Sequence, residues 1–265
     1  MMRSCLLVGV LLASSLAVAK FQIPSDDKVM THLGQCQGDF LPGNFELFVW
    51  NIKKAEAKDA WAKDFEHFTA KSDVVLIQEA MIDSYMPNVV TRQQNFCWNF
   101  AASFIDKDQE ISGVMNGSHV LPLSAQFLRS PGREPVIKTP KMVLVHEYAI
   151  ANAAETLLVA NIHGLNFTAD ALNREQIEQV KAVLAKHKGP LIFAGDFNSW
   201  NSNRLSYLDE ILGSIGMSKV SFEDDKRTFK LDHIYVRGLG VMKTTLHRDI
   251  KTSDHSPISA SFRLQ

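Results

Sequence analysis

The sequence predicts an α/β domain in which two β-sheets pack face to face with helices on their outer sides. Three observations carry that expectation. Short apolar runs bounded by polar residues recur along the chain, as strands do. Helical spacing appears in only a few stretches between them. No linker, internal repeat or low-complexity tract divides the chain after Lys20, so one domain is expected. The 265 residues are 46% hydrophobic and 22% charged, which leaves ample apolar material for a core.

Residues 1–19 stand apart from that domain. Arg3, an apolar run from Leu6 to Leu12 and the small residues Ala17-Val18-Ala19 form a secretory signal peptide, expected to be cleaved after Ala19. The run is too short for a transmembrane helix, and no later stretch approaches the roughly 20 apolar residues a span needs. The domain at 20–265 is therefore expected to be secreted or periplasmic, with no stable membrane span. Export leaves Cys36 and Cys97, which permit one disulfide in an oxidising compartment or two separate buried thiols. The formal charge of −1 gives no support for a nucleic-acid-binding face, and it does not exclude a local groove.

The elements follow in order. FELFVW (45–50) and SDVVLIQEA (72–80) read as strands. Between them KDAWAKDFEHFTA sets Trp61, Phe65 and Phe68 on one helical face, for packing. ISGVM (111–115), VLPLSAQFL (120–128) and KMVLVHEYAI (141–150) continue the strands, the last after a Pro/Gly-rich loop at 130–140. TLLVANIH (156–163) is a buried strand, followed by a helix over 169–187 that Gly189-Pro190 stops. PLIFAGDF (190–197), a helix over 204–216, LDHIYVRG (231–238) and PISASFRL (257–264) complete the chain.

Several strands end alike. Asn51 closes the first, Glu79 the second, and His163 closes LLVANIH. Asp196 and Asn198 follow LIFAG, Asp232 and His233 open LDHIYV, and Asp254-His255 precede the last strand. Each places an acid, amide or imidazole where a rigid strand meets a loop, the usual position of catalytic side chains. Singly they are weak, since Asp-x-Asn after Gly is often only a turn. His233, beside Asp232 on a strand, is expected to point the other way and be structural. HEYAI, at 146–150, lacks the second histidine of a zinc-protease helix and sits in a strand pattern, so it is rejected as a metal motif.

Together, WNIKK, IQEA, NIHGLNF, GDFNSW, LDHIYVRG and SDHSPI resemble the endonuclease/exonuclease/phosphatase superfamily, the deoxyribonuclease I-like fold. SPGREPVIKTPKMVLVHEY resembles a bacterial branch of it. The resemblance runs from Trp50 to Pro257. It implies a four-layer αββα sandwich with two central mixed sheets and the active site at one edge of them. It also implies that Glu79 is the chief metal ligand, with Asn51 beside it and Asp254 a further carboxylate. Asp196 then orients or deprotonates the attacking water, while Asn198 and His163 donate hydrogen bonds to the phosphate. His255, paired with Asp232, is the general base or the proton donor. The superfamily's nucleases also carry an Arg or Tyr that reaches the phosphate from mid-chain; no residue is assigned to that role here, although Arg129 and Arg133 lie nearby in sequence.

The residue types agree with such chemistry. Hydrolysing a phosphate ester requires charge neutralised on the phosphoryl oxygens, an activated water and a protonated leaving oxygen. Carboxylate and amide oxygens favour a hard cation, Mg²⁺ or Mn²⁺. A carboxylate against an imidazole fixes its tautomer and stabilises its cation. The expectation is therefore a monomeric, divalent-metal-dependent phosphodiesterase, with nucleic acid as the first substrate. The alternatives are a sphingomyelinase-like or other phospholipid phosphodiesterase, an inositol-phosphate phosphatase or, less favoured, an inactive binding module. Lys53, Arg133 and Trp200 are the expected substrate contacts, Trp200 because an aromatic ring beside the site can take a base or face a membrane.

Overall fold

The computed structural model describes residues 21–265; the signal peptide and its cleavage point lie outside them. Thirteen strands and four α-helices alternate along these residues. Strands β1 (Met30–Gly34), β2 (Asn44–Asn51), β3 (Val74–Ile82), β4 (Cys97–Ile105) and β5 (Ile111–Ser118) are interrupted by helices α1 (Asp59–Thr69) and α2 (Met86–Val90). Then come β6 (Ser124–Arg129), β7 (Met142–Tyr148), β8 (Leu157–His163), α3 (Asp170–Leu184), β9 (Leu191–Asp196) and α4 (Ser202–Gly213). The chain closes with β10 (Ser218–Lys219), β11 (Asp232–Arg237), β12 (Leu239–Leu246) and β13 (Ile258–Leu264).

Two mixed sheets result, ordered β1-β4-β5-β3-β2-β13-β12 and β10-β11-β9-β8-β7-β6. Near the middle of each runs one parallel pair, β2 with β3 and β8 with β9, and every other pairing is antiparallel. The alternation of side chains along each strand builds three apolar layers. Leu47, Val49 and Leu76 face inward against Val159, Ile192, Ala194 and Ile234 of the other sheet. Phe48, Trp50, Val75 and Ile77 face outward onto Trp61 and Phe65 of α1. Val143, Ala160, Ile162 and Phe193 face outward onto Ile177, Val180 and Leu184 of α3 and Leu208 and Leu212 of α4. Helix, sheet, sheet, helix: the four-layer expectation holds.

Several boundaries differ from the sequence pattern. The strand read at 120–128 begins only at Ser124, because Pro122 has no N–H to contribute to a ladder. The strand read at 111–115 runs on to Ser118. The helix read at 204–216 starts earlier, at Ser202, where the Asn201 side chain accepts the Arg204 N–H and caps it, and it ends at Gly213. Strands β1, β4, β10 and β12 had no assignment from sequence. Cys36 and Cys97 form a disulfide, with Cα atoms 5.0 Å apart, that ties the segment after β1 to the start of β4.

One polar feature crosses the apolar space between the sheets. The Asn161 side chain donates to Ile77 O (3.0 Å), Met115 O (3.2 Å) and Asn116 Oδ1 (2.8 Å), and it accepts from Gln78 Nε2 at 2.6 Å. Asn116 in turn donates to Leu144 O at 3.2 Å. All three amides are fully buried, so the network locks the register of one sheet on the other just behind the site.

Candidate active site

Strand register sets out the centre of the site. In the six-stranded sheet His163 of β8 pairs with Asp196 of β9, and Asp196 pairs with Asp232 of β11. Residues in one register row share a face, so three neighbouring strand ends present His163, Asp196 and Asp232 side by side. The strands can close up there because of two glycines. A Cβ at Gly195 would sit 2.2 Å from Ile162 O, and one at Gly164 would sit 2.5 Å from Phe197 O. His233, one residue out of register, turns to the opposite face and bonds to Ser199 Oγ at 2.8 Å, as a structural histidine.

The facing sheet supplies Asn51 and Glu79. Between Ile77 and Ala80 the β3–β5 register shifts, a bulge, and Glu79 within it has φ +52°. A bulged residue in the left-handed region costs about 1 kcal/mol or more, and bulges re-aim a side chain. Here the bulge turns Glu79 into the space between the sheets' ends, 3.8 Å from His163 Nε2. Asn198, Lys53, Lys54 and Phe167, on loops around the same space, also have positive φ. With Glu79 they make five residues in the left-handed region at one edge of the sandwich.

His255 arrives on the loop before β13. That loop is pinned to the end of β2: Trp50 Nε1 donates to His255 O at 3.1 Å, and Ser253 Oγ donates to Asn51 O at 2.7 Å. His255 Nδ1 lies 2.9 and 3.1 Å from the two Asp232 oxygens. Burial disfavours the His255 cation, but the Asp232 charge and hydrogen bond, helped by Asp196 and Asp254, outweigh it and raise the ring to about 10. The imidazolium is the resident form at neutral pH. Asp196 moves the other way from a surface acid. Burial first, and then the Asp232 charge, raise its proton affinity despite His255 and the Asn198 N–H. His163 is held neutral, well below its ordinary value, by burial and by the Lys141 and His255 charges.

Most of these groups line one depression of about 490 Å³, and Asp232 lines the hollow beside it. Glu79, His163, Asp196, Asn198, Asp254 and His255 all face the depression. Asn51 joins them through its amide, which donates to Asp196 Oδ2 at 3.1 Å, while its oxygen accepts from the Lys53 N–H. Asn198 caps its own turn: its N–H donates to Asp196 Oδ1 at 2.9 Å and its amide donates to Gly164 O at 2.9 Å. The depression is open at the surface on the His255 side, where a second hollow of about 360 Å³ shares Leu231, Asp254 and His255 with it.

Two donor sets bear on a metal. Glu79 and Asp254 face the depression with carboxylate oxygens, donors of the kind a hard divalent cation takes. Asp196, Asp232 and His255 also bring one donor atom each within 4.8 Å of one another. In that second set the imidazole nitrogen facing Asp232 is already hydrogen-bonded to it.

The three expected substrate contacts do not line the depression. Lys53 pairs with Glu56 at 3.2 Å, and it is its neighbour Lys54 that faces the space. Arg133 is exposed on the 130–140 loop. Trp200 is 43% exposed and lies over the Arg204 guanidinium, 5.0 Å from its ring centre, outside the wall. A residue given no role from the sequence is instead central. Arg204 is fully buried and holds Asp170 Oδ1 (2.8 Å), Leu165 O (2.9 Å), Asn198 O (3.1 Å) and Thr168 O (2.6 Å), so it clamps both site loops. Lys141, first residue after the 130–140 loop, also lines the space, paired with Glu134 at 3.2 Å. A lysine at a loop–strand junction carries no distinctive sequence signal, whereas Arg204 in an otherwise polar helix start carried none at all.

Comparison with known proteins follows the same lines. The model of the endonuclease/exonuclease/phosphatase family matches residues 48–255. A UPF0294 protein of Vibrio campbellii is 31% identical over 263 residues, covering 92% of this chain and 91% of its own. Among solved structures, an endonuclease/exonuclease/phosphatase from Beutenbergia cavernae aligns with TM-score 0.65 at 13% identity, over 83% of this chain and 72% of that one. D. rerio TDP2 complexed with single strand DNA product aligns with TM-score 0.63 at 15% identity, over 83% and 99%.

Proposed function

Because the chain belongs to the endonuclease/exonuclease/phosphatase family, we propose that it is a divalent-metal-dependent phosphodiesterase working at the depression between the two sheet ends. The observation that carries this reading is the division of protons among neighbours. His255 beside Asp232 is a standing acid, and Asp196 is a buried carboxylate of raised basicity within the same group. A reaction that removes a proton at one oxygen and delivers one to another needs that pair.

The step is a hydrolysis. The oxygen of water bonds to phosphorus as one of its protons passes to Asp196. The opposite P–O ester bond breaks, and the departing oxygen takes the proton carried by His255. A bound Mg²⁺ or Mn²⁺ supplies charge neutralisation at the phosphoryl oxygens, and Glu79 with Asp254 would hold it. Asn198 and neutral His163 face the same space; His163 would offer its ring N–H to the phosphate, and Asn198 would do so by exchanging one of the bonds its amide makes to Gly164 O and Asp196 Oδ2. Asn51 holds the Asp196 carboxylate in place. Of the two roles left open by the sequence, the raised proton affinity of His255 favours donor over base.

Nucleic acid remains the first substrate class by sequence, and the DNA product held by D. rerio TDP2 supports it at the level of fold. A phospholipid headgroup presents the same diester. The disulfide suits an oxidising compartment, in keeping with export, and no helix among the described residues is long and apolar enough to cross a membrane. The test is turnover of a soluble diester, bis(p-nitrophenyl) phosphate, by the purified mature protein. Activity is expected to vanish on chelation and return with Mg²⁺ or Mn²⁺. Activity that survives both chelation and Glu79→Ala would refute the metal assignment.

A further inference from the structure

Strand order sets the polar groups of the six-stranded sheet in a row. Asp232 on β11, Asp196 on β9 and His163 on β8 are successive neighbours, and the next strand along is β7. Lys141 is the residue before β7, and it lines the depression with His163 and Asp196. Neighbouring strands lie about 4.8 Å apart, so Lys141 starts one strand beyond His163 and about 10 Å from the strand of Asp196. His255, bonded to Asp232, is three strands away. The hydrolysis above gives Lys141 no task.

The backbone around Lys141 is pinned. Its N–H donates to Ser130 Oγ at 2.9 Å, Ser130 N donates to Lys141 O at 2.9 Å, and Ser130 Oγ donates to Gly132 O at 2.7 Å. Glu134, on the same loop, donates from its N–H to Thr139 O at 3.0 Å and accepts from Lys138 N at 2.9 Å. The Lys141 and Glu134 side chains meet at 3.2 Å with only 11 and 13% of their surface exposed. Those backbone bonds already close the loop, and a poorly hydrated ion pair adds little net stability, because lost hydration offsets the attraction. Its cation nonetheless reaches the site: after burial, the Lys141 charge is the chief influence keeping His163 neutral.

Of the four acids that line the depression, Glu79 and Asp254 belong to the facing sheet and Asp196 to β9, which leaves Glu134 as the one on the loop into β7. Arg133 and Lys138, on that same loop, are exposed and do not line the depression. In the proposed hydrolysis the departing oxygen leaves on the His255 side, beside the adjoining hollow. The alcohol that stays on phosphorus is left the β7 end, where Ile137 and Phe167 also face the space.

We propose that Lys141 is a specificity-determining residue, whose ammonium leaves Glu134 for a second phosphate carried by that retained alcohol. A lysine suits the exchange, since its point charge and rotatable donors on a flexible stem can pass from a carboxylate to a phosphate while the backbone stays fixed. The direction in which the substrate lies rests on the phosphodiesterase reading above; the anion site at Lys141 stands without it.

The test compares two esters with one leaving group, thymidine 5′-(p-nitrophenyl phosphate) and the same compound bearing a 3′-phosphate. Nitrophenolate departs far more readily than thymidine, so the nucleoside is the retained alcohol in both. Wild type is expected to prefer the 3′-phosphorylated ester on the order of tenfold in kcat/KM, through KM. Lys141→Met is expected to abolish that preference and Lys141→Arg to keep it. Glu134→Gln removes the competing charge and is expected to lower KM for the phosphorylated ester further. Absence of the preference in wild type overturns the assignment. So does a preference that survives Lys141→Met while the urea midpoint falls, which would make the pair a loop staple. Competition by tetrathymidylate or by inositol 1,4-bisphosphate, weakened in Lys141→Met, tells a polynucleotide source of the second phosphate from a polyol source; competition that Lys141→Met leaves unchanged overturns the assignment. If neither ester is turned over, the phosphodiesterase reading fails, and calorimetry on the metal-free protein decides the anion site alone. Thymidine 3′,5′-bisphosphate should then bind more tightly than thymidine 5′-phosphate in wild type and no more tightly in Lys141→Met; equal binding in wild type overturns the site.

Discussion

Replacing Asp232 by Asn isolates the ion pair at the centre of the proposed chemistry, because the amide keeps the shape and removes the charge. Both Asp232 oxygens lie within 3.1 Å of His255 Nδ1. The His255 ring titrates at about 10 against an ordinary 6.5. That gap corresponds to about 5 kcal/mol of preference for the cation. Burial works against the cation and only Asp196 and Asp254 would still favour it, so removal of the Asp232 charge should bring His255 well below 10. The proton donor is then depleted at neutral pH, and turnover of a soluble diester should fall by up to roughly 10²- to 10⁴-fold. Stability follows the same linkage. In the native protein the raised value means the pair stabilises the fold fully below pH 6.5, and that contribution is lost as pH rises toward 10. In Asp232→Asn that contribution is smaller and its loss begins at lower pH. Histidine side-chain NMR through a pH titration, with urea melts at pH 6 and pH 9.5, reads both. If His255 in Asp232→Asn still titrates above 9, Asp232 does not set its charge and the proton-donor assignment is refuted.

Arg204→Lys should lower stability by about 3 kcal/mol in urea melts, because three loop carbonyls and Asp170 lose the planar fork that spans them. It should also lower diester turnover by releasing Asn198, although Arg204 lies outside the depression. Cys36→Ser should cost about 4 kcal/mol by the chain-entropy account of a cross-link spanning 61 residues, read as a lower urea midpoint that reductant reproduces in the native protein. Burial holds His146 at about 3 and His233 at about 4, both below the ordinary 6.5. Each therefore stays neutral in the fold while the unfolded chain takes up a proton, so stability should fall as pH drops from 6.5 toward 4, by up to about 1.4 kcal/mol per pH unit for each ring. His146→Gln should flatten that slope. Asn161→Leu removes donors to Ile77 O, Met115 O and Asn116 and should cost about 3 kcal/mol of stability, since partners at full burial are left without bonds.

Much of the site was legible because its residues terminate strands, and strand ends show in apolar periodicity. Asn51, Glu79, His163, Asp196, Asn198, Asp232 and His255 come together as register and loop pinning require. His233 falls on the opposite face for the period-two reason that sequence already supplied. Other parts were not legible. The bulge that turns Glu79 inward depends on β5 as partner, which a single strand does not reveal. β4, CWNFAASFI, is buried on both faces and so lacks the alternation that marks a half-exposed strand. β12 is an exposed edge whose Lys243, Thr244 and Thr245 read as loop. Trp200 looked like a substrate contact because it follows Asp196 and Asn198 closely, but the helix cap at Asn201 turns it onto Arg204.

The most direct measurement is the rate of soluble-diester hydrolysis by wild type, Glu79→Gln and His255→Ala across a Mn²⁺ titration. The account predicts metal-dependent turnover by wild type, loss of at least a hundredfold in His255→Ala at saturating metal, and a Glu79→Gln curve shifted to much higher Mn²⁺. Equal turnover by wild type and both variants with the same metal dependence would contradict it.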